Sequence, residues 1–262
     1  MTDEGIRELY STTVLDEHGE TREISLTGER PLTIYLDKQE IVTLMTMGSQ
    51  PELLALGYLR NQSLVQTLED IIDIQVDWDV ESVVVTTKNT IPELEKLLSK
   101  RTVTSGCGQG TMFGNVMSLL DNLKLKCPSF SADIIYQVLD NLTDHNKMYK
   151  QAGAVHGCAL CSITGKIEYF VEDVGRHNAV DVISGWMWLQ GMTGENKVFY
   201  TTGRLTSEMV IKVAQMKIPL LLSRSGVTEM GLSIAQKIGI GMIARAKGKH
   251  FLIFNGADCF NN

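Results

Sequence analysis

Four groups of residues in this chain have types and spacing that could do chemistry. The first is Cys107, set in Arg101-Thr-Val-Thr-Ser-Gly-Cys-Gly-Gln-Gly110 with glycine on both sides and no hydrophobic neighbour. A thiol kept for packing usually lies among apolar residues, whereas glycines free the backbone and leave sulfur approachable. Locally two readings stay open: a reactive thiol on a loop, or a glycine-rich turn in which Cys stands in for Ser. The second group is His156, Cys158 and Cys161, a His-x-Cys-x-x-Cys pattern that invites a metal or redox reading. Residues 154–163 read as a strand, however, which puts positions 158 and 161 on opposite faces. Core packing is the expected role, since Cys is among the most buried residue types, and no metal site is expected. Cys127 and Cys259 have no partner in the sequence and carry no functional signal.

The third group is Glu172-Asp-Val-Gly-Arg-His-Asn178, in which Arg176 and His177 are candidate anion contacts and Glu172 and Asp173 would orient them. The fourth comprises Arg204, Arg224 and the run Arg245-Ala-Lys-Gly-Lys-His250. Arg204 and Glu208 could equally be an i, i+4 pair on a helix surface, and residues 247–250 could be a plain turn.

These residues need elements to place them. Residues 23–26, 32–36, 74–78 and 82–87 alternate apolar and polar side chains as half-buried strands do. Pro51 and Pro92 open helices over 52–59 and 93–99. Ser131 caps a helix predicted to run to Tyr149, and a hairpin follows, 154–163 with 166–171, joined through Thr164-Gly165. Beyond it, helices over 178–189, 206–215 and 228–238 alternate with strands over 197–202, 218–223 and 240–246. That alternation indicates an α/β fold with a mixed, largely parallel sheet. A boundary falls near Cys127-Pro128, giving a smaller β-rich α+β domain over 1–126, which ends in the Cys107 loop, and an α/β domain over 127–262. Ligands of open α/β sheets bind beyond the carboxyl ends of the strands, where helix N-termini also point. The loops at 172–178, 202–208, 224–228 and 245–250 should share that rim, and each holds Arg or Lys suited to a phosphate-bearing anion.

Composition narrows the function. The 262 residues are 44% hydrophobic with a net charge of −7, so general binding to nucleic acid is not expected and an anion site must be a local pocket. No run reaches the ~18 apolar residues that span a bilayer, and the start has no leader pattern. A cytoplasmic protein with no membrane partner is expected. Five cysteines at irregular spacing do not read as a disulfide framework.

Taken together these residues resemble the FdhD family of formate dehydrogenase accessory sulfurtransferases. The likeness rests on Glu172-Asp-Val-Gly-Arg-His-Asn-Ala-Val-Asp181, Gly203-Arg-Leu-Thr-Ser-Glu-Met-Val-Ile-Lys212 and the Gly-Cys-Gly at Cys107, supported by residues 29–32 and 51–59. The resemblance implies a cytidine deaminase-like α/β domain behind the smaller one. It also implies a sulfur carrier that takes sulfur from a cysteine desulfurase as a Cys107 persulfide. The recipient would be the molybdenum of a Mo-bis(molybdopterin guanine dinucleotide) cofactor, bound as substrate and destined for formate dehydrogenase, with no permanently bound cofactor. By position, Arg245, Ala246, Lys247, Gly248, Lys249 and His250 fall where the family contacts that cofactor, and Arg176, His177 and Arg204 would join them; a homodimer is implied too. One departure matters: many members have a second cysteine in the Cys107 loop where this chain has Gly110. A single-thiol carrier survives that change, whereas a two-thiol route does not. The other readings are a chaperone that holds the cofactor without transferring sulfur, and zinc-dependent deamination. The second lacks the required pattern, since Cys158 stands where a Glu would follow His156.

Overall fold

The computed structural model describes residues 8–89, 102–103, 110–111, 120 and 123–261. Cys107 and the helix expected over 93–99 lie outside the described residues. The chain opens with an antiparallel ribbon, β1 (Leu9–Leu15) with β2 (Thr21–Thr27). Strands β3 (Arg30–Leu36), β4 (Gln39–Thr46), β5 (Ile71–Asp77) and β6 (Ser82–Thr87) then form a sheet in the order β4-β3-β6-β5. Their period-two pattern buries Leu32, Ile34 and Leu36 on one face of β3, beside Val83 and Val85 of β6.

Helix α1 (Pro51–Asn61) runs between β4 and β5, with proline in its first turn as the sequence suggested. It is apolar nearly all round, with Leu54, Leu56, Tyr58 and Leu59 buried, because it lies between two layers. On one side it meets β5 and β6, and on the other α4 (Arg176–Leu189). The two helices touch backbone to backbone. A Cβ added to Gly57 would lie 1.7 Å from the Asp181 carbonyl oxygen, and one added to Gly185 would lie 2.1 Å from that of Leu53.

Two short strands, β7 (Thr102–Val103) and β8 (Gly110–Thr111), pair antiparallel on either side of the Cys107 segment in the sequence. Next come β9 (Phe130–Ser131), α2 (Ala132–Leu142) and α3 (Lys147–Ala152). Ser131 caps α2 by accepting from Ile134 N, but the single helix expected to Tyr149 breaks at residues 143–146. Thr143, Asp144, His145 and Asn146 are poor helix formers, the Thr143 hydroxyl donates back to the Asp140 carbonyl, and Asn146 Nδ2 donates 2.7 Å to the Leu142 carbonyl.

The remaining elements build a six-stranded sheet: β10 (His156–Ser162), β11 (Ile167–Asp173), β12 (Lys197–Thr201), α5 (Ser207–Gln215), β13 (Leu220–Ser223), α6 (Glu229–Ile238), β14 (Gly241–Lys247) and β15 (His250–Asn255). Strand order is β11-β10-β12-β13-β14-β15. The parallel part is the trio β12, β13 and β14, joined by α5 and α6, while antiparallel pairings to β10 and β15 flank it. A final strand, β16 (Phe260–Asn261), returns to pair with β9.

Alternation along the central strands feeds two cores. Cys158, Leu160, Phe199, Leu221 and Met242 join α1, α4, α5, α6 and the first sheet in one apolar cluster. Ala159, Cys161, Val198, Tyr200, Leu220 and Ile243 pack on the other face with Ile135, Val138 and Leu142 of α2. Cys158 and Cys161 thus take opposite faces, as the strand reading required. Among the described residues no helix is long and apolar enough to cross a membrane.

Candidate functional site

Strand direction brings the predicted loops to one edge. The parallel strands β12, β13 and β14 end there at Thr201, Ser223 and Lys247. Strand β10 runs the other way, with Cys158 opposite Thr201 and His156 opposite Asp173, so its first residue and the last residue of β11 reach the same edge. Helix α4 begins beside them at Arg176, and its first-turn amides add positive potential. Between these ends opens a cavity of about 550 Å³ lined by Tyr149, His156, Val174, Thr202, Arg224 and Ser225, among others. The Arg224 guanidinium lies 5.8 Å from the centroid of the Tyr149 ring.

Arg176 is 6% exposed, and its Nε and Nη2 have no hydrogen-bond partner. Its side chain rests against Gly203, where an added Cβ would come within 2.6 Å of Arg176 Cδ, so the glycine keeps room for the guanidinium stem. Half-buried His156 places Nδ1 3.2 Å from Thr202 Oγ1. Burial, and then the charges of Arg176 and Arg204, hold its pKa below the ordinary value, so a neutral imidazole faces the cavity at neutral pH. Arg204 itself is exposed.

His177 differs from its expected role as a cation. It is buried, with Nδ1 3.5 Å from Glu208 Oε2. Burial, followed by Lys212, Arg176, His156 and Arg204, pushes its pKa down to about 2. Arg176 and Arg204 therefore carry the positive charge here, and His177 is a neutral group beneath them.

The carboxylates expected to orient Arg176 and His177 have other partners. Glu172 accepts from Met148 N at 2.9 Å and Tyr149 N at 3.0 Å, holding the start of α3 and with it Tyr149 at the cavity. Asp173 ties the site to the first sheet: Oδ2 accepts from Thr46 Oγ1 at 2.6 Å and Met47 N at 3.1 Å, and Oδ1 accepts from Gly175 N at 2.8 Å and Asn178 Nδ2 at 2.7 Å. Burial raises its pKa and these four donors oppose the rise.

The Arg245–His250 run forms the hairpin between β14 and β15, with Lys247 opposite His250. Arg245 adopts φ of 54° and donates its N–H to the Ser225 carbonyl at 2.9 Å, which joins this hairpin to the Arg224 loop. Arg245, Lys247, Gly248, Lys249 and His250 are exposed, whereas Ala246 is buried in the second core. Thr202 and Ser225 come from the loops expected at this rim, whereas Tyr149 and the cavity-facing role of His156 were missed in the sequence. His156 was grouped there with the cysteines next to it, although its place opposite the end of β11 is what matters.

Among the described cysteines, three are held as protonated thiols. Burial pushes Cys158 and Cys161 each up to about 12, and Cys158 Sγ donates to Thr201 Oγ1 at 3.3 Å. Cys127 is likewise raised to about 12, by burial and then by its neighbour Cys259.

A mixed six-stranded α/β sheet with an arginine-bearing cleft at the ends of its parallel strands defines the class. The chain belongs to the FdhD/NarQ family, whose model matches residues 27–260. A relative from Listeria monocytogenes, named sulfur carrier protein FdhD, is 30% identical over 239 residues, covering 90% of this chain and 91% of its own. Another of that name, from Wolinella succinogenes, is 26% identical over 258 residues, covering 97% and 88%. A crystal structure from Desulfotalea psychrophila, described as a formate dehydrogenase accessory protein, superposes with a TM-score of 0.76 at 26% identity, covering 97% of this chain and 98% of that one.

Proposed function

We propose that this protein is a sulfur carrier that takes sulfur from a cysteine desulfurase on Cys107 and passes it to the molybdenum cofactor of formate dehydrogenase. The observation that carries this reading is the family match over residues 27–260, together with relatives named for sulfur carriage. In the loading step the Cys107 thiolate attacks the terminal sulfur of the desulfurase persulfide. The desulfurase S–S bond breaks, its thiolate leaves, and Cys107 holds the new persulfide. Passing that sulfur on as sulfide takes up two electrons, which a thiol reductant supplies. The three thiols held near a pKa of 12 are poorly suited to this attack, which favours Cys107 with its flanking glycines.

The cofactor is an anionic substrate with phosphates and guanine bases, and the cleft offers what it needs. Arg224 and Tyr149 line the cleft with a charge and an aromatic face, and behind them Arg176, with N–H groups without partners, and Arg204 act on the cavity residue His156. Arg245, Lys247, Lys249 and His250 would extend the contact along the neighbouring hairpin.

Incubation with a cysteine desulfurase and cysteine should add one sulfur atom at Cys107, seen by peptide mass spectrometry. Cys107→Ser should abolish activation of formate dehydrogenase while keeping the fold; full activation by that variant overturns the carrier role. Guanosine diphosphate should bind the cleft by calorimetry at low ionic strength and weaken with salt. The presence of Gly110 in place of a second loop cysteine favours one other reading, a chaperone that holds the cofactor without moving sulfur. Nucleotide binding with no persulfide on Cys107 would select it.

A further inference from the structure

Cys127 and Cys259, which have no partner in the sequence, are neighbours in the fold. Phe260 and Asn261 of β16 pair in parallel with Phe130 and Ser131 of β9, bringing together segments 130 residues apart. Cys259 Sγ donates to the Cys127 carbonyl at 3.4 Å, which sets the two cysteines side by side. Asn261 Nδ2 fastens the same crossing to Ser129 Oγ at 2.6 Å. Cys127 Sγ rests in a recess left by two glycines: an added Cβ would come within 2.4 Å of it at Gly241 and 3.2 Å at Gly256.

This thiol pair is reachable from solvent. Both residues are half-buried, in contrast to Cys158 and Cys161, which are fully buried. Beside Cys127 opens a second cavity of about 650 Å³, lined by Lys124, Lys126, Pro128, Asn196 and Lys217 among others. Asn196 and Lys217 lie just before β12 and β13, so this cavity sits at the edge of the sheet opposite the arginine-bearing cleft.

We propose that Cys127 and Cys259 form a reversible disulfide, a redox site separate from the cleft and independent of the sulfur-carrier reading. The oxidant is a hydroperoxide. Cys259 is oxidised first to a sulfenic acid, releasing one water from hydrogen peroxide. The Cys127 sulfur then attacks it, the S–O bond breaks, the oxygen leaves as a second water with the Cys127 proton, and the S–S bond forms. Cys127 supplies the second sulfur because the strand crossing keeps it beside Cys259, and its raised pKa makes this attack the slower of the two steps. The bond would join the start of the α/β layer to the end of the chain and close a loop of more than a hundred residues.

The test uses the full chain carrying Cys107→Ser, which leaves four thiols. Mild hydrogen peroxide should lower the thiol count of the denatured protein from four to two, and peptide mapping should recover a 127–259 link that dithiothreitol reverses. The oxidised form should melt about 5–15 °C higher than the reduced form, as a long closed loop implies. With Cys259→Ser added, both link and shift should vanish; with Cys127→Ser instead, a sulfenic acid should be trapped on Cys259 by dimedone. A count that stays at four, links to other cysteines, oxidation beyond sulfenic acid without a link, or an unchanged melting temperature would each overturn the proposal.

Discussion

Lys212 Nζ lies 2.7 Å from Asp181 Oδ2, with 2% and 0% of the two side chains exposed. Asn61 Nδ2 donates to the other carboxylate oxygen at 2.7 Å, so one carboxylate on α4 is held by α5 and by α1. Removing one partner of a buried pair strands the other charge, at about 3–5 kcal/mol. Lys212→Met should therefore lose that much stability in urea unfolding. Adding Asp181→Asn, which keeps the bond to Asn61 but removes the charge, should recover a large part of it.

His177 gives a signed pH dependence. Its pKa in the folded chain is pushed from 6.5 down to about 2, so as pH falls the unfolded chain takes up this proton first. The site's stabilising contribution is whole above pH 6.5 and is lost as pH falls toward 2, by about 1.4 kcal/mol per pH unit. Asp173 and Asp181, whose pKa values are raised by burial, act in the opposite direction in the acidic range. The comparison of interest is therefore with His177→Gln, whose stability should fall less steeply between pH 6 and pH 4 by roughly one proton's worth.

The crossing of α1 and α4 leaves no space for side chains. With an added Cβ 1.7 Å from a backbone oxygen, Gly57→Ala must push the helices apart, and a loss of about 3 kcal/mol or more is expected. Gly191→Ala is a poor control because Gly191 has φ of 60°; Gly226→Ala, with nothing within 4 Å, should change stability little. Thermal unfolding of the two variants makes the comparison.

Asp173→Asn tests the tie between the first sheet and the cleft. Two donors meet each carboxylate oxygen, so the new amide nitrogen faces two donors whichever way it turns. Stability should drop by about 2–4 kcal/mol. Nucleotide affinity should fall with it, because Gly175 and Asn178, the two donors to Oδ1, flank Arg176.

Much of the fold was legible because periodicity reports burial. The alternation in 32–36 and 82–87, and the helix–strand repeat from 178 onward, correspond to half-buried strands and to the parallel trio with its crossover helices. The break after Leu142 was harder to see, since apolar residues resume at Met148 and Tyr149 beyond it and the deciding contacts are local side-chain bonds from Thr143 and Asn146. At the site, Gly-Arg and Arg-Ser runs marked the loops correctly as one edge. Side-chain partners did not follow from sequence: Glu172 turns to α3, Asp173 to β4 and His177 to Glu208, each through contacts set by packing. The Cys127–Cys259 approach was equally invisible, because only the pairing of β16 with β9 creates it.

The glycine contact between α1 and α4 has a consequence for synthesis of the chain. Gly57 and Gly185 are more than a hundred residues apart, which at roughly 5–20 residues per second separates their emergence from the ribosome by on the order of ten seconds. Through that interval the leucine-rich α1 has one of its two neighbouring layers still to be made. A helix that ends with both sides covered thus begins with one side bare, a natural stretch for a holding chaperone to cover until α4 arrives.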